Sequence, residues 1–239
     1  MRILAMDTVG QQGSVALLDK GVPVLSSRLL EPGTHVVSLP QEITRLLREA
    51  KWRMEEVGLV AVTLGPGSFT GLRIALGVAK GLALGQQVAV IGLSTLEVVA
   101  MGSGAGVKEG AWIVSLLDAR RKELFFELFR LSAQGFPESV RPSHIADPAT
   151  LARSLAEDES LGSAPLFFNG SGLGVYGDLF QKALGDRFRP APDSAWHPDP
   201  VLIGRLAQHR FKQRGADHAE GLQPLYLRRP DAVAKKRGL

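Results

Sequence analysis

The chain of 239 residues contains no cysteine, which excludes a disulfide framework, a thiolate nucleophile and a cysteine-bound zinc ion. It also lacks a long apolar run, since no segment approaches the roughly 20 residues that a membrane helix needs. Charged side chains at Arg2 and Asp7 come too early for the apolar core of a signal peptide. We therefore expect a cytoplasmic protein with no membrane contact.

The chain has little excess charge of either sign, with 28 lysines and arginines against 24 aspartates and glutamates. Its hydrophobic share of 45% and its length are typical of a globular protein that can form two lobes of roughly a hundred residues each. Near the C-terminal end, Asp231 alone opposes five cations: Arg228, Arg229, Lys235, Lys236 and Arg237. A solvated tail is the simpler interpretation, and contact with an acidic partner or an RNA backbone is the alternative.

The order of strand-like and helix-like segments predicts an α/β protein built from two related halves. Three short strand patterns open the chain, and a helix, a buried strand, a second helix and another strand follow. A run of small residues at 101–106 then suits a crossing into a second, reduced copy of this order. We expect an N-terminal lobe over 1–104, a smaller lobe over 105–197, a helix near 198–214 that packs back on the first lobe, and a basic tail over 215–239.

A loop between a predicted strand and a predicted helix, over residues 63–73, carries the strongest local signal. Gly65 and Gly67 are able to adopt positive φ, and Ser68 or Thr70 is placed to cap the free amides of the helix. The loop lacks both the Gly-Lys-Ser/Thr of a P-loop and the Gly-x-Gly-x-x-Gly pattern of a dinucleotide site. A simple helix cap and an anion-binding helix end therefore both stay open.

The helix predicted after this loop has two ridges of small residues on opposite sides. Between Gly71 and Gly85 its only charges are Arg73 and Lys80. The ridges are formed by Gly77, Gly81 and Gly85 and by Ala75, Ala79 and Ala83. Because small residues let backbones approach closely, we expect one face to pack on the sheet. The other face is either a partner interface or a surface covered by the second lobe, and an interface is favoured.

The segment from Gly65 to Arg73 resembles the signature of the TsaB (YeaZ) family of tRNA threonylcarbamoyladenosine biosynthesis proteins. Supporting matches are spread over most of the chain: Ile3 to Thr8, His35, Asp118 to Arg121 with Glu123, and Pro224 to Arg228. The resemblance implies an actin-like (ASKHA, ribonuclease H-like) α/β fold of two lobes, with mixed sheets in βββαβα order.

The same resemblance implies a non-catalytic scaffold subunit, required to form threonylcarbamoyladenosine next to the anticodon of tRNAs that read codons beginning with A. The implied partners are a catalytic threonylcarbamoyltransferase paralogue and an ATPase subunit, with a homodimer expected for the isolated chain. Contact with tRNA is expected to be indirect or weak. The partner interface is expected to include Leu72, Ile74, Gly77, Val78, Gly81 and Leu82.

The alternative function is that of an actin-like small-molecule kinase or ATPase, in which an acidic residue at a strand end lies near phosphate-bound magnesium. A second glycine-rich segment, from Gly170 to Gly174, is either an adenosine loop or a strand-to-helix turn, so nucleotide binding stays open. Candidate ligand contacts are Asp7, Gly65, Gly67, Ser68, Arg73, Gly170 and Gly172. The turn after Asp118 argues against an ATPase, because Ala119, Arg120 and Arg121 stand where actin-like ATPases place glycines.

The sequence predicts no metal site, no cofactor requirement and no catalytic residue. The metal site of the catalytic paralogue needs two histidines four residues apart, whereas here His35 is followed four residues later by Leu39. The other histidines show no ligand spacing: His144, His197, His209 and His218. A peptidase is discarded as well, since the chain has neither a cysteine nor a serine in a Gly-x-Ser-x-Gly elbow.

Overall fold

The computed structural model describes residues 1–10, 13–29, 35–103 and 107–228. The chain divides into two compact units. The first comprises residues 1–95 and 198–225, and the second comprises residues 96–197 with the described residues from Tyr226 onward.

The described residues of the two units form ten strands and six α-helices. The first unit contains β1 Arg2–Asp7, β2 Gly13–Asp19, β3 Val22–Leu29, α1 His35–Glu49, β4 Val57–Gly65, α2 Phe69–Gln86 and β5 Ala89–Ser94. The chain continues through α3 Thr95–Met101, β6 Trp112–Asp118, β7 Leu124–Leu131, β8 Pro137–Ala146, α4 Pro148–Glu157, β9 Leu166–Asn169, α5 Leu173–Leu184 and β10 Phe188–Pro190. The last helix, α6 Pro200–Arg214, returns to the first unit.

Both units are built on a five-stranded mixed sheet of the same topology. The strand order is β3-β2-β1-β4-β5 in the first sheet and β8-β7-β6-β9-β10 in the second. In each sheet the first three strands pair antiparallel and the last two run parallel to the first strand. The predicted α/β class, with mixed sheets and the βββαβα order, is therefore confirmed, and the second unit is a full copy rather than a reduced one.

The central strand of the first sheet is covered on both faces. Leu4 and Met6 pack into a core with residues of α1 and α2. The intervening Ile3 and Ala5 are also fully buried, and α6 lies against β1 and β2. Because neither face meets water, β1 reads as a continuous apolar run instead of an alternating one.

The second sheet has the same two-sided burial. Phe126 and Phe168 belong to the core that is shared with α4 and α5, where Phe180 packs at 5.2 Å between ring centroids from Phe168. Alternate residues of the same strands, such as Phe129, pack with α3 on the opposite face. This arrangement places the ends of β6 and β9 beside the loops that sequence analysis singled out.

Three elements of the second half were not predicted from sequence: α3, β8 and β10. The strand β8 lies at the edge of its sheet, carries Pro137 and Pro142, and is largely exposed, so its apolar pattern is weak. The segments α3 and β10 have seven and three residues, which is too short for a clear periodic signal.

Within the described ranges, no helix is both long enough and apolar enough to cross a membrane. Of the small-residue crossing predicted at 101–106, residues 104–106 lie outside the described residues, and so does the part of the predicted 215–239 tail beyond residue 228.

Candidate functional site

The glycine loop predicted from sequence joins β4 to α2, and its backbone is as strained as expected. Gly65 has φ +107° and Gly67 has φ +155°, conformations that residues with a Cβ rarely adopt. Ser68 is the N-cap of α2, and its Oγ accepts a hydrogen bond from the Gly71 N–H at 3.2 Å. The first helix amides are thus partly satisfied by the chain itself.

The turn after β1 packs closely against this loop. A Cβ on Gly67 would lie 1.9 Å from Val9 Cγ1, and a Cβ on Gly71 would lie 1.8 Å from the carbonyl oxygen of Thr8. The Thr8 hydroxyl donates to the Gly71 carbonyl at 2.6 Å. Glycine is therefore required at position 71 because the Thr8 backbone approaches it closely, and at position 67 because the Val9 side chain occupies the space that a Cβ would need.

Asp7 lies at the end of β1 and is only 1% exposed. The Thr63 hydroxyl and the Val9 N–H both donate hydrogen bonds to its Oδ1. Burial raises the pKa of Asp7 to about 6, although these hydrogen bonds act in the opposite direction. The carboxyl group thus serves contacts inside the first unit, and its burial does not favour the predicted ligand contact.

The two ridges of α2 have different environments. Ala75, Ala79 and Ala83 are buried in the core of the first unit. In contrast, Cβ atoms built on Gly77 and Gly81 would have no neighbour within 4 Å, and both glycines are exposed. The sequence pattern predicted two approachable faces, and the structure assigns the alanine face to the interior and leaves the glycine face open in the first unit.

The residues predicted for a partner interface do not all lie on this open face. Leu72 is 1% exposed and belongs to the interior, so it contributes nothing to an outer surface. Ile74, Val78 and Leu82 are half-buried and pack against the core. Leu84, which the prediction omitted, is 60% exposed. Leu84 could have been predicted from sequence, because it follows Gly77 by seven residues, about two helical turns, and so lies on the same face.

The two cations of α2 make contacts within the first unit. The Arg73 guanidinium carbon lies 4.0 Å from the ring centroid of Phe69, a cation–π arrangement. Lys80 Nζ donates to the Glu220 carbonyl at 3.2 Å. Arg73 is exposed and borders the glycine face rather than any enclosed ligand site.

The second glycine-rich loop, between β9 and α5, is packed against β6. Gly170 has φ +113°, and a Cβ there would lie 2.1 Å from the Leu116 carbonyl oxygen. The Gly172 N–H donates to the same oxygen at 3.0 Å. These contacts explain both glycines by close backbone approach, which favours the strand-to-helix turn over an adenosine loop.

Two buried carboxylic acids in the second unit were missed by sequence analysis. Glu97 of α3 and Glu127 of β7 are 8% and 7% exposed. Burial raises the pKa of Glu127 to about 7, the Ser139 hydroxyl opposes this by donating to Oε1 at 2.7 Å, and the charge of Glu97 raises it further. Both could have been predicted from sequence, because each is the single charged residue in an apolar run, TLEVVAM for Glu97 and LFFELF for Glu127.

Among the described residues, no group of three or more histidine, aspartate or glutamate side chains is arranged to hold a metal ion. His144, for example, packs edge-on against Phe126 with 5.1 Å between ring centroids, and its Nδ1 lies 3.0 Å from the Pro142 carbonyl oxygen.

The paired βββαβα units define an actin-like protein of the ASKHA class. A solved ROK hexokinase from Thermus thermophilus shares this fold, with a TM-score of 0.55 over 88% of this chain and 99% of that one, at 11% identity. The solved YeaZ from Pseudomonas aeruginosa is much more similar, with a TM-score of 0.79 and 28% identity over 95% of this chain and 99% of that one.

Sequence comparison narrows the class to a family. Residues 23–236 match the family model described as TsaD, tRNA N6-adenosine threonylcarbamoyltransferase. The tRNA threonylcarbamoyladenosine biosynthesis protein TsaB of Escherichia coli K12 is 37% identical over 244 aligned positions, which cover 100% of this chain and 99% of the relative. TsaB of Bacillus subtilis is 27% identical over 98% of this chain and 97% of the relative. The chain belongs to the TsaB (YeaZ) family, as its glycine-loop signature predicted.

Proposed function

We propose that this chain is a non-catalytic partner subunit that supports threonylcarbamoyladenosine formation in tRNA by binding the catalytic threonylcarbamoyltransferase. The observation that carries the proposal is the open glycine face of α2, which consists of Gly77, Gly81, Leu84 and Gly85. A helix whose exposed side lacks Cβ atoms lets a partner helix approach closely, so that backbone and side-chain atoms pack over a large area.

Exposed apolar side chains on α2 and on the neighbouring helix α1 support a protein partner rather than a small ligand. Leu84 projects from α2, and Val36 and Val37 are more than half exposed on α1, the helix that packs beside α2. Exposed apolar groups on neighbouring helices are typical of a surface that is covered in an assembly. An ATPase subunit completes the proposed complex, and a homodimer through the same face is expected for the isolated chain.

The proposal that the chain is non-catalytic is supported by the candidate ligand contacts at Asp7 and Gly67, which are occupied by groups of the chain itself. Asp7 accepts hydrogen bonds from Thr63 and Val9, and the space beside Gly67 is occupied by Val9. These groups satisfy one another, so they offer little to a phosphate. No feature of the described residues favours the kinase or ATPase alternative over the partner role.

The first test is reconstitution with the purified catalytic threonylcarbamoyltransferase, the ATPase subunit, threonylcarbamoyl-adenylate and unmodified tRNA. Modified adenosine should form only when this chain is present, and the chain alone should form none. Equal product without the chain would contradict the partner role, and ATP turnover by the isolated chain would support the enzyme alternative.

The second test places the interface on α2. Replacing Gly81 by phenylalanine should weaken binding to the catalytic subunit by at least about tenfold, because the ring occupies the space that the partner needs. Gly177 of α5 is a matched control, since it is also a helical glycine whose Cβ would meet nothing within 4 Å. If Gly81→Phe binds as tightly as Gly177→Phe in a folded chain, the glycine face is not the interface.

A further inference from the structure

The turn between β6 and β7 contains three consecutive residues in the left-handed region. Arg120, Arg121 and Lys122 have φ values of +61°, +53° and +62°. Left-handed backbone is unfavourable for side chains with a Cβ, and glycine or asparagine adopts it at lower cost. The chain nevertheless places three long cations there, all of them exposed. We call these three residues the basic turn.

The backbone of the basic turn is held by local hydrogen bonds. The Arg120 N–H donates to Asp118 Oδ1 at 2.8 Å, and the Glu123 N–H donates to the Arg120 carbonyl at 3.0 Å. The Ala119 N–H closes the turn on the Glu123 carbonyl at 3.0 Å. The backbone that carries the cations is therefore fixed. The Arg120 side chain is 75% exposed and pairs with Asp118, with 3.5 Å between Nη1 and Oδ2.

A fourth cation is bound to the same support. Arg228 Nη1 donates to the Ala119 carbonyl at 2.8 Å, and its Nη2 pairs with the Glu123 carboxylate. With Asp118 and Glu123 as the two acids, residues 118–123 and Arg228 carry four positive and two negative charges, a local net charge of +2. The sequence continues from Arg228 into four further cations and one acid.

The character of this surface favours a polyanion over a protein partner. Within residues 118–123 the only apolar side chain is Ala119, and it is buried. Protein interfaces have an apolar centre, whereas a phosphate backbone is bound through exposed lysine and arginine side chains that displace counterions. We propose that the basic turn and Arg228 contact the phosphate backbone of the tRNA substrate, an inference that rests on the proposed function.

The test measures binding of fluorescent, unmodified tRNA to the complex of this chain with the catalytic threonylcarbamoyltransferase at several salt concentrations. The double variant Arg121→Gly/Lys122→Gly removes two charges and suits the left-handed backbone better than the native residues do. Its tRNA affinity at low salt should fall about tenfold, and the slope of log affinity against log salt should fall by about 1 to 2.

The matched control is Lys20→Gly/Lys51→Gly. Both lysines are exposed and left-handed, with φ values of +51° and +56°, and both lie in the first unit. The control should bind tRNA with the affinity and salt slope of the native complex. Unchanged binding by the turn variant, or an equal loss in the control, would overturn the proposal.

Two further readouts separate this inference from the function on which it rests. If the turn variant weakens assembly with the catalytic subunit while the assembled complex binds tRNA normally, the turn is a protein contact and the RNA proposal fails. If the native chain forms no complex with the catalytic subunit, the proposed function fails, and the same variants are then compared as isolated chains against the same tRNA. A charge-dependent loss confined to the turn variant still supports the contact.

Discussion

Replacing Glu127 by glutamine is expected to remove much of the pH dependence of stability in the second unit. Burial raises the pKa of Glu127 from its ordinary value of 4.5 to about 7. Between these values the folded chain keeps a proton that the unfolded chain has released, so the free energy of unfolding falls as pH rises. A slope of up to about 1.4 kcal/mol per pH unit over this interval sets an upper bound of about 3.5 kcal/mol, and solvent screening through exposed Ser139 lowers the expected value to about 2 kcal/mol.

The assay is urea unfolding at about pH 5 and about pH 8, followed by tryptophan fluorescence. A Trp52→Phe background leaves Trp112 and Trp196, which both belong to the second unit. The native chain should lose stability between the two pH values, and Glu127→Gln should lose less by about 2 kcal/mol.

Two companion variants identify the cause of that difference. Glu138 lies on the neighbouring strand β8 and is exposed, so Glu138→Gln should keep the native pH dependence. Glu97→Gln should reduce it, because it removes the like charge that raises the pKa of Glu127. Identical pH dependence in the native chain and Glu127→Gln would refute the reasoning.

Three further predictions concern the first unit. Gly71→Ala should lower the free energy of unfolding in urea by roughly 3 kcal/mol or more, because its Cβ would lie 1.8 Å from the Thr8 carbonyl oxygen. Gly77→Ala should raise it by up to about 1 kcal/mol, because its Cβ meets nothing and alanine is the better helix former. Burial raises the pKa of Asp7 from 3.8 to about 6, so Asp7→Asn should flatten the loss of stability as pH rises through that range, monitored by Trp52 fluorescence. A steeper loss in Asp7→Asn would contradict this assignment.

The first sheet was predictable because its signals are local. The meander from β1 to β3 follows from short strand patterns and turns, and the order of the following elements follows from long apolar periods. The sequence also predicted a capped helix start and limited the cap to Ser68 or Thr70, and the structure assigns it to Ser68. Edge strand β8 could not be predicted from sequence. It is exposed on both faces, so it lacks the alternation of apolar and polar residues that identifies a half-buried strand.

The environment of Asp7 required the structure, because its hydrogen-bond donor Thr63 is 56 residues away in sequence. A strand-end aspartate has the same local pattern whether it faces a metal, a turn or the interior. The same limit applies to α2, where glycine and alanine ridges have equal spacing. Only the position of the sheet decides that Ala75 and Ala79 are buried and that Gly77 and Gly81 are open.

The glycine face of α2 and the basic turn can be tested separately for their roles in assembly and tRNA binding. Loops that hold nucleotide in actin-like enzymes need open space beside their glycines, whereas here Val9 fills the space at Gly67 and the Leu116 backbone fills that at Gly170. Among the described residues, an open helix face in one unit and a strained basic turn in the other stay accessible. In the proposed roles, the helix face serves assembly and the basic turn serves tRNA contact, so each can be removed without the other. Gly81→Phe should therefore weaken assembly by at least about tenfold without altering the positive charge of the basic turn, while Arg121→Gly/Lys122→Gly should preserve assembly and weaken tRNA binding.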